Sequence, residues 1–115
     1  MKSIPEPLAA RFELLQELTT AYDLLDGLPS DGAEAEREFL QSKISGLEAE
    51  LTAGEVEALA LLELIHDDSR AWLAASLRYR QGYSWAEVAD MIGGNEPAIK
   101  ARVYRKMKQA FMAGK

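Results

Sequence analysis

The sequence predicts an all-α protein: a long antiparallel helical hairpin followed by a helix-turn-helix. Three observations predict it. β-branched residues are few, Ala, Leu and Glu are frequent, and no sustained alternation of apolar and polar residues occurs. Leu40, Ile44, Leu47 and Leu51 recur at intervals of 4, 3 and 4, the seam of a coiled coil or of a long hairpin. Toward the C-terminal end, a short capped helix, a glycine turn and a basic helix follow in direct succession.

The first helix is expected over residues 5–26. Leu8, Phe12, Leu15, Tyr22 and Leu25 form one stripe, which Leu14 and Leu18 widen, so the helix should touch more than one neighbour. Gly27, Pro29 and Gly32 break the pattern and mark the hairpin loop. The second helix should begin near Ala33 and run as one long element to about His66, because the seam extends through Gly54, Ala58, Leu61 and Ile65. Gly54 on that seam would let the partner helix approach closely. Thr52 and Glu55 also match a capping box, so a new helix starting there is the alternative. Residues 66–69 (HDDS) form a break, with Asp68 or Ser69 as the next N-cap. The helix that follows, residues 70–81, is expected to bury Trp72, Leu73, Leu77 and part of Tyr79, and Gly82 should end it.

Ser84 then caps a short helix over residues 85–92, and Glu87 completes a capping box. Val88, Ala89 and Ile92 share its inner face. Gly93, Gly94 and Asn95 make a tight turn, Asn95 caps the last helix, and Pro97 sits in its first turn. Ile99, Val103, Met107 and Ala110 form the buried stripe of that helix.

The chain has 115 residues, 48% hydrophobic and 28% charged, enough for a domain of 67–115 preceded by an acidic hairpin of 1–66 that serves oligomerisation or partner binding. Cysteine is absent, which excludes disulfides and thiolate metal sites. The opening MKSIPEPLAARFELL lacks an apolar run before a small-residue cleavage site, so no secretory signal is expected. No apolar stretch approaches the roughly 18 residues of a membrane span. A cytoplasmic location without membrane contact is expected. The net charge of −6 is unevenly divided. Residues 1–69 hold 16 acidic and 4 basic residues, a balance of −12, whereas residues 70–115 hold 3 acidic and 9 basic, a balance of +6. One half should repel phosphate and the other attract it.

A basic helix presented after a tight turn is the arrangement that enters a major groove. Its N-terminal N–H groups favour phosphate. Lys100, Arg102, Arg105, Lys106 and Lys108 are candidate cationic contacts, Tyr104 can add a hydroxyl, and Ser84 joins them from the preceding helix. Residues 77–79 (LRY), 82–89 (GYSWAEVA) and 99–102 (IKAR) resemble region 4 of sigma-70 factors, most of all the small phage and prophage regulators of the ArpU type. The resemblance covers about residues 65–112 and implies double-stranded promoter or operator DNA as ligand. It also implies that Glu96, Pro97, Lys100 and Ala101 face the bases. Pro97 and Ala101 depart from what a base reader needs, since neither hydrogen-bonds a base edge, although Ala101 can touch a thymine methyl. Nothing resembles the region that opens promoter DNA.

His66, beside Asp67 and Asp68, lies in one loop without a second cluster and is read as a surface or capping residue. The carboxylates of residues 34–57 are read as a solvated helix face, with contact to a basic partner surface, such as RNA polymerase or the chain's own C-terminal half, as the functional alternative; Trp72 and Trp85 are read as core. The sequence offers no nucleophile–base set and no phosphate-binding glycine loop, so neither catalysis nor a cofactor is expected. A small helix-turn-helix binds best as a dimer, and the hairpin seam is the expected oligomerisation surface. Two other readings fit the same layout: an adaptor that binds proteins of the transcription machinery through its acidic hairpin, and a DNA-packaging subunit like a phage small terminase.

Overall fold

Prolines 5 and 7 set the start of the first helix, where a missing N–H leaves no hydrogen bond unmade. The structure, a computed structural model, describes residues 4–113, with side chains as far as Ala110. Six helices follow in order: α1 Glu6–Asp26, α2 Glu34–Ala53, α3 Glu55–Glu63, α4 Ser69–Tyr79, α5 Trp85–Ile92 and α6 Glu96–Ala113. No strand occurs among the described residues, and no helix there is long and apolar enough to cross a membrane.

α1 and α2 run antiparallel. Near the connecting loop, Leu18, Ala21, Leu25 and Leu28 pack with Leu40 and Ile44, while Arg11 reaches the other end of α2 at Leu51. The seam residues Leu40, Ile44, Leu47 and Leu51 are all buried. The seam expected to join one copy to another is therefore covered within the chain. Tyr22 lies half out of the expected stripe and donates its hydroxyl to Glu48 at 2.9 Å, which raises the Tyr22 pKa.

The single helix expected from Ala33 to His66 is two helices. Gly54 takes φ −90°, ψ 0° between them, and no Thr52 side-chain cap forms. The break has a physical reason in Arg11. The last carbonyls of a helix lack intrahelical partners, and the Leu51 carbonyl accepts from Arg11 Nη1 at 2.8 Å. Glu55, the first residue of α3, accepts from Arg11 Nη2 at 2.5 Å and from Arg80 Nη2 at 2.7 Å. Arg11 is only 8% exposed, so this acceptor pair is what makes its burial tolerable. The group nearest Gly54 across the helix pair is the Arg11 guanidinium rather than a helix backbone.

α4 begins at Asp68, whose carboxylate accepts the Ala71 N–H at 3.1 Å. It ends near Arg80, and Gly82, at φ +81°, lets Tyr83 N–H return to the Leu77 carbonyl at 3.2 Å. Its buried face differs from expectation. Trp72 is 37% and Leu73 42% exposed, Leu77 is half-buried, and Ala71, Ala74 and Ala75 face the core. α4 packs against α1, α3, α5 and α6, and only small side chains fit where four neighbours close on one helix. Tyr79 is the large residue it does bury, and burial pushes the Tyr79 phenol pKa up.

The larger core gathers Ile4 and Leu8 of the N-terminal segment, Ala58, Leu62 and Ile65 around α3, the α4 alanines, and Trp85, Val88, Ile99, Val103 and Met107. It draws on residues either side of position 66. The chain measures 55 × 30 × 23 Å with a radius of gyration of 16.7 Å, against about 13 Å for a compact chain of this length. The excess is the paired ends of α1 and α2, which extend away from this core.

Arg11→Met keeps the aliphatic volume but leaves Glu55 with Arg80 alone. Because Glu55 is part-exposed, a loss of about 2 kcal/mol is expected, below the range for fully buried pairs, and urea unfolding measures it.

Candidate nucleic-acid interface

The candidate surface is built by α5, the turn after it and α6. Ser84 Oγ accepts the Glu87 N–H at 3.1 Å and Glu87 Oε1 accepts the Ser84 N–H at 2.9 Å. The expected capping box is complete, and the Ser84 N–H holds the Glu87 carboxyl below the usual range. Trp85, Val88 and Ala89 anchor α5 inward.

The turn then needs glycine. Gly93 and Gly94 have φ of 80° and 112°. A Cβ on Gly94 would also stand 2.9 Å from Arg70 Nη2 and 3.4 Å from Ile99 Cδ1. Arg70 reaches across from α4 and donates to the Ile92 carbonyl at 3.3 Å and to the Gly93 carbonyl, placing a cation at the negative end of α5. Asn95 Oδ1 accepts the Ala98 N–H at 2.9 Å and caps α6 as expected. Ile99, Val103 and Met107 bury the inner face of α6.

Behind this face lies an aromatic cluster. Trp85 packs edge-on against Tyr79 and Tyr104, with ring centroids 6.2 and 6.3 Å apart. The Arg78 guanidinium sits 3.5 Å from the Phe12 ring centroid and 5.1 Å from that of Trp85. Trp85 is thus core, as expected. Trp72 is not: it stands on the exposed side of α4.

The C-terminal cations divide into two groups. Arg70, Arg78 and Arg80 are committed to carbonyls, rings and Glu55. Arg102 pairs with Asp68 at 2.9 Å and Lys106 with Asp67 at 2.8 Å. Sequence reasoning missed these two bridges because 34 and 39 residues separate the partners; only the adjacent aspartates hinted that the turn had a role. Lys100 lies 5.6 Å from the Tyr104 ring centroid, and among the described residues Lys100, Arg105 and Lys108 form no ion pair. Lys2 and Lys115 lie outside the described residues.

Helical repeat sets Pro97, Ala101, Arg105 and Lys108 opposite the Ile99 stripe, with Lys100 and Tyr104 on one flank and Arg102 and Lys106 on the other. Glu96, Pro97, Lys100, Ala101, Arg102, Arg105 and Lys108 are exposed, whereas Ser84 and Tyr104 are half-buried. The Ser84 hydroxyl, having accepted the cap bond, keeps its O–H as a donor. His66 is exposed, its Nδ1 2.8 Å from the Glu63 carbonyl. Among the described residues no group of three His, Cys, Asp or Glu is placed to hold a metal ion.

Gly94→Ala is expected to destabilise the chain by about 1–2 kcal/mol in thermal or urea unfolding, from positive φ and the contact with Arg70. The Arg102 hydrogen bond holds Asp68 below the usual carboxylate range, and the Lys106 hydrogen bond does the same for Asp67. Their contribution to stability is complete above about pH 5 and is lost as pH falls through the lowered pKa values. Urea midpoints should therefore drop between pH 5 and 3, and the Asp67→Asn, Asp68→Asn double variant, which keeps an Asn cap, should flatten that profile. Compared with protein-family models, curated proteins and solved structures, the chain matches none.

Proposed function

We propose that the chain is a DNA-binding transcriptional regulator: an antiparallel helical hairpin followed by a sigma-70 region-4-like helix-turn-helix, with α6 as the helix that enters the major groove. The observation that carries the reading is the solvent side of α6. It sets exposed Arg105 and Lys108 on the outward face and exposed Lys100 on a flank, without ion-pair partners among the described residues, on a helix whose inner face is anchored in the core. The support comes from these side chains rather than from the helix N-terminus, where Asn95 takes the Ala98 N–H and Pro97 has none, while residues 1–69 carry a balance of −12 and keep the rest of the chain away from phosphate.

Under this reading Lys100, Arg105 and Lys108 neutralise phosphates, and Ser84 and Tyr104 donate hydroxyls. Glu96, Pro97, Lys100 and Ala101 meet the base edges, where Lys100 alone has a long donor. Arg102 reaches DNA only by leaving or sharing Asp68. The acidic hairpin is the part that meets RNA polymerase, and a dimer on paired half-sites uses a surface other than the covered α2 seam.

Electrophoretic titration at several salt concentrations tests the reading. With three free cations the log–log slope is expected near about −2.7 per subunit. Replacing Lys100, Arg105 or Lys108 by Gln should make it shallower by about 0.9 each, and Asp67→Asn, which releases Lys106, should steepen it by a similar amount. Absence of DNA affinity even at low salt overturns the reading. Selection from random DNA then separates an enriched motif from non-specific binding.

A further inference from the structure

The loop end of the α1–α2 pair carries an open apolar groove of about 440 Å³, lined by Leu24, Leu28, Ala35, Glu36, Phe39 and Leu40. Phe39 is 67% and Leu24 56% exposed. Large apolar side chains gathered in a concave surface mark a contact site. This one lies about 24 Å along α1 from Leu8 and the main core, at 1.5 Å per residue.

The charge of this tip indicates the partner. Glu36 lines the groove, and Asp23, Asp26, Asp31, Glu34 and Glu38 are exposed elsewhere on the same tip. The only cation in residues 23–39 is Arg37, and it is turned to the Pro29 carbonyl at 2.7 Å. Two such tips brought together would oppose carboxylate to carboxylate, and nucleic acid or anionic lipid would meet the same repulsion. A cleft between two packed helices accepts a third helix through apolar anchors spaced along one face. We propose that this groove docks an amphipathic helix of another protein, with apolar anchors between Leu24 and Phe39 and Lys or Arg flanking them against Glu36 and the acidic tip. The site is separate from the α6 face and does not depend on the DNA reading.

The test uses the whole chain and a synthetic amphipathic helix with leucines on one face and lysines on the other, followed by amide NMR shifts. Shifts should centre on Leu24, Leu28, Ala35 and Phe39, and Phe39→Asp or Leu24→Asp should weaken binding by about tenfold or more. Both residues are more than half exposed, so an unchanged circular dichroism spectrum is expected. A matched peptide with glutamates in place of lysines should not bind. No binding, equal binding of the glutamate peptide, or shifts centred elsewhere would overturn the proposal. So would a dimer of the unliganded chain that Phe39→Asp dissolves, which would assign the groove to a second copy.

Discussion

Arg11 is carried by α1 into a place with little water, where a guanidinium requires matched acceptors. It finds two, the Leu51 carbonyl at the end of α2 and the Glu55 carboxylate at the start of α3. Glu55 is shared in turn with Arg80 beyond the end of α4. Four helices are thereby pinned at one point. An unpaired charge there would cost several kcal/mol, more than most single apolar contacts contribute. The register of α1 on α2, the break at Gly54 and the approach of α4 to α3 are therefore parts of one arrangement.

The same principle governs the basic C-terminal segment. Cations close to the core are drawn to whatever acceptors tertiary packing offers, so Arg70, Arg78, Arg80, Arg102 and Lys106 serve the fold first. Lys100 on a flank of α6 and Arg105 and Lys108 on its far side form no ion pair among the described residues. The field outside the molecule is consequently narrower than the count of lysines and arginines suggests, and it is concentrated on the solvent side of one helix.

α4 explains how such a short chain supports two separate surfaces. Its alanine face lets α1, α3, α5 and α6 close around it, so a compact core forms at one end. α1 is long enough to share that core with its N-terminal half and to carry α2 beyond it with the other. The α6 face and the acidic tip stand at different places on one elongated body, so the two proposed ligands need not compete.

Much of the local structure was legible because its causes are local. The Ser84–Glu87 box, the Gly93–Gly94 turn, the Asn95 cap and the Ile99, Val103 and Met107 stripe depend on residues within a turn or two of one another, and periodicity and capping chemistry express them directly. The candidate surface was legible as a cluster of charge on α6. Trp72 and Leu73 were not, because apolarity alone does not tell which face of a helix has many neighbours, and crowding gave the inside of α4 to alanine. The break at Gly54 was not, because a continuous seam favours one helix unless an arginine some 40 positions away takes the Leu51 carbonyl. Nor was the pairing of Asp67 and Asp68 with Lys106 and Arg102. By itself the sequence determined the helical class, the caps and turns, and the separation of acidic from basic halves, since these follow from neighbouring residues. Only the tertiary structure decided which cations stay free and where the long helix divides, because both depend on which groups folding brings within hydrogen-bond reach.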